Sequence, residues 1–161
     1  MAVTSARGMR DFPPRDKERR DAILALIGET YQRHGFEALE TPALEDSSVL
    51  HSGMGGDNEK LSFQVMKRGL GPDDFASAQE SSDLSDLGLR FDLTVPLTRY
   101  YATNRAELPT VFKAIQTGPV WRAERPQKGR YRQFVQCDID IIGDASTLAE
   151  VDLLVSSLDA L

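Results

Sequence analysis

Between Arg122 and Phe134 the chain packs five cations, one carboxylate and two aromatic rings into thirteen residues. From Phe134 to Ile142 the character changes to alternation. Val135, Cys137, Ile139 and Ile141 fall on one side and are wholly apolar, whereas Phe134, Gln136, Asp138, Asp140 and Ile142 fall on the other. A period of two predicts a strand with one core-building face. The charged run ahead of it then has one place to go: a hairpin loop, with its tip at Pro126-Gln-Lys-Gly129. Cations suit phosphates, rings suit a flat base, and polar groups on an adjacent strand suit a small polar ligand. That combination fits a nucleotide-using site.

The rest of the chain is acidic. Nineteen cations stand against 25 carboxylates in 161 residues, a net charge of -6. A broad basic surface for nonspecific nucleic-acid binding is not expected, but a local patch at 122–132 remains. A single cysteine, Cys137, excludes an intrachain disulfide and a thiolate-rich metal site, and it reads as a small buried hydrophobe. His34 and His51 have no carboxylate pattern nearby in sequence, so neither a zinc site nor a catalytic histidine is expected. No stretch has the length and apolarity of a signal peptide or membrane span, so the expected compartment is cytoplasmic. One domain is expected from this length.

Residues 1–15 end in Pro13-Pro14 and read as an extended arm. A helix is predicted from Asp16 to His34, with Ile23, Leu24, Ile27 and Tyr31 as its apolar stripe and Gly35 just past its end. Phe36 to Glu40 reads as a short strand ended by Thr41-Pro42. Residues 51–58 are glycine-interrupted and read as a loop, and Leu61 to Met66 as a strand. Residues 68–86 read as a mobile surface insertion. Leu87 to Val95 is expected to be a strand, with Leu89, Phe91, Leu93 and Val95 facing one way and Arg90, Asp92 and Thr94 the other. Pro96 then opens a helix, Leu97 to Leu108. Val111 to Ile115 and Val120 to Arg122 should be strand, separated by a turn or kink at Gly118-Pro119. A final helix starts near Thr147, its stripe being Leu148, Val151, Leu154, Val155 and Leu158.

The residues leave alternatives open. The polar side of 134–142 is either a solvated sheet face or the floor of a cleft in which Asp140 accepts from an ammonium and Gln136 both donates and accepts. Asp92 and Thr94 pose the same choice. Arg122 and Glu124 either pair with each other or serve a phosphate. No Gly-rich phosphate loop and no nucleophile motif is present, so any ATP would lie on a sheet with arginines. Such a site suits nucleotide-dependent activation of an amino acid, which needs orientation and charge stabilisation more than a protein nucleophile.

Four segments together resemble the histidyl-tRNA synthetases, a class II aminoacyl-tRNA synthetase family. They are Arg7-Gly-Met-Arg-Asp-Phe12, Gly35-Phe-Glu with Thr41-Pro42, Leu89-Arg-Phe-Asp-Leu-Thr-Val-Pro-Leu97, and Val120 to Phe134 continuing to Asp140. The resemblance spans nearly the whole chain, and its last segment is the most specific. It implies an α+β fold, an antiparallel sheet flanked by helices. Residues 1–161 would be the N-terminal portion of the catalytic domain with motifs 1 and 2, and motif 3 and the anticodon-binding domain would be absent. It further implies ATP with Mg2+, histidine and tRNA(His) as ligands, and a homodimer through the motif 1 helix.

By the same resemblance, Arg122 would contact the ATP α-phosphate and the histidine carboxylate. Glu124, Arg130, Tyr131 and Phe134 would complete the ATP site, with Phe134 stacking on adenine. Asp92, Thr94, Gln136 and Asp140 would bind histidine, and Gln127 and Lys128 would approach the tRNA acceptor end. No protein metal ligand is expected. Asp140 stands where bacterial relatives often carry glutamate. The implied activity is that of a histidine–tRNA ligase, with this length of chain inactive alone. A regulatory subunit of ATP phosphoribosyltransferase, or a dimerising interaction module, is the alternative.

Overall fold

The computed structural model describes residues 3–52 and 61–161, so most of the expected 51–58 loop lies outside the described residues. The polypeptide enters as an arm with a turn at Arg7-Gly8 and no regular structure up to Pro13. Helix α1 spans Pro14–Arg33, starting two residues before the expected position. Proline is tolerated there because the first-turn amides lack intrahelical acceptors anyway. Gly35 follows at φ +82, the left-handed conformation that ends many helices.

Among the described residues, two three-stranded sheets carry the fold. The larger one contains β1 (Glu37–Ala38), β5 (Phe112–Trp121) and β6 (Gln133–Ile142) in the order β1-β5-β6. β5 and β6 form the expected antiparallel hairpin, with Gly118 opposite Gln136, Gln116 opposite Asp138 and Ala114 opposite Asp140. β1 joins β5 in parallel, at Ala114 and Ile115 only. Gly118-Pro119 therefore does not break β5 as the sequence led us to expect. Pro119 lies beyond the reach of β1, where a missing amide donor interrupts no second ladder.

The smaller sheet contains β2 (Leu44–Asp46), β4 (Ser85–Leu89) and β3 (Phe63–Met66), in the antiparallel order β2-β4-β3. Helix α2 (Ser47–His51) follows β2, which places His51 at a helix end and not in a loop. The segment expected to be mobile forms two short surface helices, α3 (Pro72–Ser77) and α4 (Ser81–Leu84). Asp74 accepts from Gly71 N (2.7 Å), and Asp83 accepts from Gln79 N and Glu80 N (2.9 and 3.1 Å). Carboxylates satisfying the first amides nucleate these turns without a core.

The clearest departure concerns the stretch expected to be strand from Leu87 to Val95. β4 stops at Leu89, residues 90–93 cross between the sheets, and helix α5 runs Thr94–Asn104. Asp92 accepts from Val95 N (3.1 Å), so this carboxylate starts the helix. Phe91 and Leu93 are buried as expected, but so is Arg90 at 3% exposure, because the crossing segment is covered on both sides. Alternation of large apolar residues imitated a strand.

Each face of the β5–β6 hairpin seeds a core. Ile115, Cys137, Ile139 and Ile141 pack with Tyr31, Phe36, Ile27 and Leu153. On the opposite face Leu97, Phe112 and Ala114 pack with Tyr100, Tyr101 and Ile142. The final helix, α6 (Thr147–Ala160), covers the first core beside α1. Its orientation reverses the expectation. Leu148, Val151, Leu154, Val155 and Leu158 are 51–75% exposed, while Ala149 and Ser156 are buried and Leu153 and Ala160 pack inward. Small residues let the helix approach the sheet and α1 closely, and a long-side-chain stripe does not. Leu158→Ser is therefore expected to shift folding stability by less than about 0.5 kcal/mol while lowering self-association. Thermal melts and sedimentation velocity on the two proteins check this, and a large loss of stability would contradict the orientation.

Candidate functional site

The charged run forms a narrow extension of the β5–β6 hairpin. Gln127 N donates to Arg130 O (3.2 Å) and Arg130 N to Gln127 O (2.9 Å), with Gly129 at φ +80 inside the turn. Gln127 and Lys128 are exposed at this tip. Arg132 braces the base of the loop from within. Its Nε donates to Glu124 O (2.9 Å), its Nη2 to Ala123 O (3.3 Å), and its backbone N–H to Gly8 O (2.7 Å). The N-terminal arm is thereby tied to the hairpin. A β-carbon at Gly8 would come within 2.9 Å of Arg132 Cγ and Cδ, so the arm lies close.

Arm and hairpin enclose a cleft of about 280 Å³ lined by Arg10, Arg122, Glu124, Gly129, Arg130, Tyr131 and Phe134. All five residues expected around ATP line this one cavity. Glu124 pairs with Arg130 and not with Arg122, so the ion pair weighed from spacing does not form. The Arg122 guanidinium lies over the Phe134 ring at 5.1 Å and donates from Nε to Phe91 O (3.1 Å). Among the described residues its Nη atoms make no hydrogen bond, and they remain for a ligand.

Arg10 had no expected role. Its guanidinium lies 4.1 Å from the Tyr131 ring centroid and 4.6 Å from that of Phe12. Arg10 falls in the Arg7–Phe12 segment that carries the resemblance, but an arginine two residues from a phenylalanine in an arm without core pattern does not by itself place it.

Below this cleft the polar face of β6 forms an acidic floor with the crossing segment 90–93. Gln116 Nε2 donates to Leu93 O (2.8 Å), which holds that segment over β5. Asp92 is thereby brought within electrostatic reach of Asp138 and Asp140. Burial pushes all three carboxyls above the ordinary carboxylate range. The charges of Asp140 and Asp92 push Asp138 further, and that of Asp92 does the same at Asp140. At Asp92 the Val95 amide and the Arg122 charge pull the other way. Gln136 Nε2 donates to Asp138 Oδ1 and Oδ2 (3.4 and 3.3 Å), and its buried Oε1 has no partner among the described residues. Thr94 sits at the first turn of α5 with its side chain exposed.

The polar face is thus half-buried rather than a solvated outer face. Three mutually repelling carboxyls and an orphaned carbonyl oxygen make a floor suited to a cation with N–H donors. Arg122 joins floor to cleft, anchored on Phe91 and felt by both Asp92 and Asp138. Among the described residues no three His, Cys, Asp or Glu side chains converge as a metal-holding set. His34 Nε2 meets Asp159 Oδ2 (3.0 Å) at the C-terminal end of α1. Among the described residues no helix is long and apolar enough to cross a membrane.

The family model described as histidyl-tRNA synthetase matches residues 8–161. A histidine–tRNA ligase of Leifsonia xyli subsp. xyli is 60% identical over 165 aligned residues, 99% of this chain and 38% of the relative. The crystal structure of histidyl-tRNA synthetase from Nostoc sp. PCC 7120 superposes with a TM-score of 0.76 at 27% identity, covering 99% of this chain and 34% of that one. A Bacillus halodurans protein described as an ATP phosphoribosyltransferase regulatory subunit/histidyl-tRNA synthetase shares the fold, with a TM-score of 0.74 at 22% identity over 95% of this chain and 36% of that one. The chain thus spans well under half the length of these relatives. Its sheets and flanking helices match the architecture of the class II synthetase catalytic fold. With the model match running from the arm to the last helix, this chain is a member of the histidyl-tRNA synthetase family.

Proposed function

We propose that this chain is the N-terminal portion of a class II catalytic domain, carrying motifs 1 and 2, and that it supplies half of the site at which a histidine–tRNA ligase activates histidine. The observation that carries this reading is the convergence of Arg122 on both the ring-and-cation cleft and the acidic floor. ATP would occupy the cleft, with adenine against Phe134 and its phosphates facing Arg122 and Arg130. The magnesium expected with ATP would be carried on the phosphates.

Histidine would lie on the floor. Its ammonium and ring N–H groups would meet Asp92, Asp140 and the Gln136 Oε1, with Thr94 at the edge. A carboxylate oxygen of histidine would attack the α-phosphorus of ATP, forming histidyl-adenylate as the bond to pyrophosphate breaks. Arg122 would offset the charge that gathers on the α-phosphoryl oxygens. Transfer to tRNA(His) would follow, with Gln127 and Lys128 exposed at the hairpin tip towards the acceptor end. Homodimerisation through α1 would cover Ile23 and Leu26, which are 50% and 61% exposed. The intact cationic loop favours this reading over a regulatory subunit, which has no need of an adenylate-forming arginine.

The test is a titration of the folded chain with histidine and with ATP, followed by amide chemical shifts. Saturable histidine shifts at Gln136, Asp138 and Asp140, and ATP shifts at Arg122 and Phe134, are expected. Histidine-dependent ATP–pyrophosphate exchange then asks whether this portion suffices for the reaction. A folded chain whose floor and cleft amides ignore both ligands would sink the reading. Arg10 adds a cation to the nucleotide cleft, so Arg10→Ala is expected to weaken ATP binding roughly two- to fivefold, in line with about 0.5–1 kcal/mol for an exposed stacked cation. The same titration checks it, with histidine shifts unaltered.

A further inference from the structure

Arg90 stands at the junction of the two sheets, and no part of the chemistry above uses it. Its backbone N–H donates to Ala43 O (3.0 Å), and its carbonyl accepts from Trp121 N (3.0 Å). Its guanidinium is fanned across two other segments. Nε donates to Pro119 O (3.0 Å), and Nη1 donates to Thr41 O (2.5 Å), Thr41 Oγ1 (3.3 Å) and Pro42 O (3.4 Å). Thr41 Oγ1 in turn donates to Gln116 Oε1 (3.1 Å), whose amide nitrogen holds Leu93 O. Arg90, Thr41 and Gln116 are each no more than 3% exposed. Gly118 completes the seat, because a β-carbon there would collide with Arg90 Nη2.

A buried guanidinium is an expensive way to hold a core together. Burial works against its charge, the Glu40 charge offsets this only in part, and among the described residues no carboxylate lies in ion-pair contact with it. A well-packed apolar side chain would serve stability as well or better. What an apolar residue lacks is the planar fork, which binds several carbonyls in fixed directions at once. The segment fixed in this way, 90–93, is the one that presents Phe91 O to Arg122 and the Asp92 carboxylate to the acidic floor.

We propose that Arg90, acting through Thr41 and Gln116, is a positioning residue that sets Asp92 and Arg122 in the substrate site. Its relevance to histidine binding rests on the function proposed above. Its effect on the floor does not, because the carboxyls report their mutual placement without any ligand.

Arg90→Lys keeps the charge and loses the fork, and Thr41→Val removes the hydroxyl link at nearly constant shape. Both are compared with the parent chain by circular-dichroism melts, by carbon-detected NMR titration of the Asp92, Asp138 and Asp140 carboxyls, and by histidine titration. A cooperative melt is expected for each variant. Asp138 and Asp140 should titrate at lower pH than in the parent as Asp92 moves away, and histidine affinity should fall at least tenfold in Arg90→Lys. Folded variants whose three carboxyl curves superpose on the parent's would overturn the proposal. If Arg90→Lys does not fold, Thr41→Val decides by the same criterion. Shifted carboxyl curves in a parent that never binds histidine would sink the ligand reading and leave the positioning role intact.

Discussion

In the complete catalytic domain, Arg122→Ala is expected to lower histidine-dependent ATP–pyrophosphate exchange roughly 10²–10³-fold, about 2.7–4 kcal/mol of transition-state stabilisation. The reason is geometric as well as electrostatic. Arg122 is held by Phe91 O at Nε and lies over the Phe134 ring, so its remaining donors are oriented before a phosphate arrives. A lysine at 122 would keep the charge but lose both the anchor and the stacked plane, so Arg122→Lys should recover little. Exchange rates at saturating ATP and histidine, with melts to show that the variants fold, provide the measurement. An Arg122→Ala protein that exchanges within a fewfold of its parent would remove Arg122 from the chemistry.

Asp140→Asn should have two opposed effects. Histidine affinity should fall about ten- to a hundredfold, as expected when a hydrogen bond to a charged group is replaced by a neutral one. Stability at neutral pH should rise. Burial and the neighbouring Asp92 hold the Asp140 carboxyl above the ordinary range, so the folded protein keeps this proton to higher pH than the unfolded chain does. Stability is therefore lost as pH rises from the ordinary carboxylate range through the raised value. The amide of the variant has no such proton to lose and escapes that cost. The gain should be seen in melts at pH 7 and vanish at pH well below the ordinary range. A variant less stable than its parent at pH 7 would show that Asp140 is paired in the folded state and not strained by its neighbours. Floors that trade stability for a cation site are expected to behave in this way.

Much of this site was legible beforehand because its signals are local. The charged loop, β6 and its apolar face follow from one run of 21 residues, and the resemblance singled out Arg122, Glu124, Arg130, Tyr131 and Phe134, which line one cleft. Strand period puts neighbours two apart on one side, whatever the rest of the chain does. The arm, α1 and Gly35 were readable for the same reason, since proline, helical spacing and a left-handed glycine act within a few residues.

The misreadings share a different cause. Leu89-Arg-Phe-Asp-Leu-Thr-Val95 alternates like a strand, yet Asp92 satisfies Val95 N and starts α5. The apolar stripe of α6 points outward because Ala149, Ser156 and Ala160 fit the gap beside α1 better than leucines do. Alternation puts Arg90 on an outward polar face, but its partners lie 49 and 29 residues away at Thr41 and Pro119. The Glu124 carboxylate chose Arg130 across the turn over Arg122 two residues before it.

Period, capping and charge order in the sequence alone determined most of the elements that form and the gathering of cations and rings at the hairpin. Only the tertiary structure decided which faces found cover, which carboxyls repel one another, and that an arginine at a sheet junction fixes the segment carrying Asp92. Local pattern is set by steric and hydrogen-bonding rules within a few residues, whereas burial and long-range pairing depend on what the rest of the chain brings alongside.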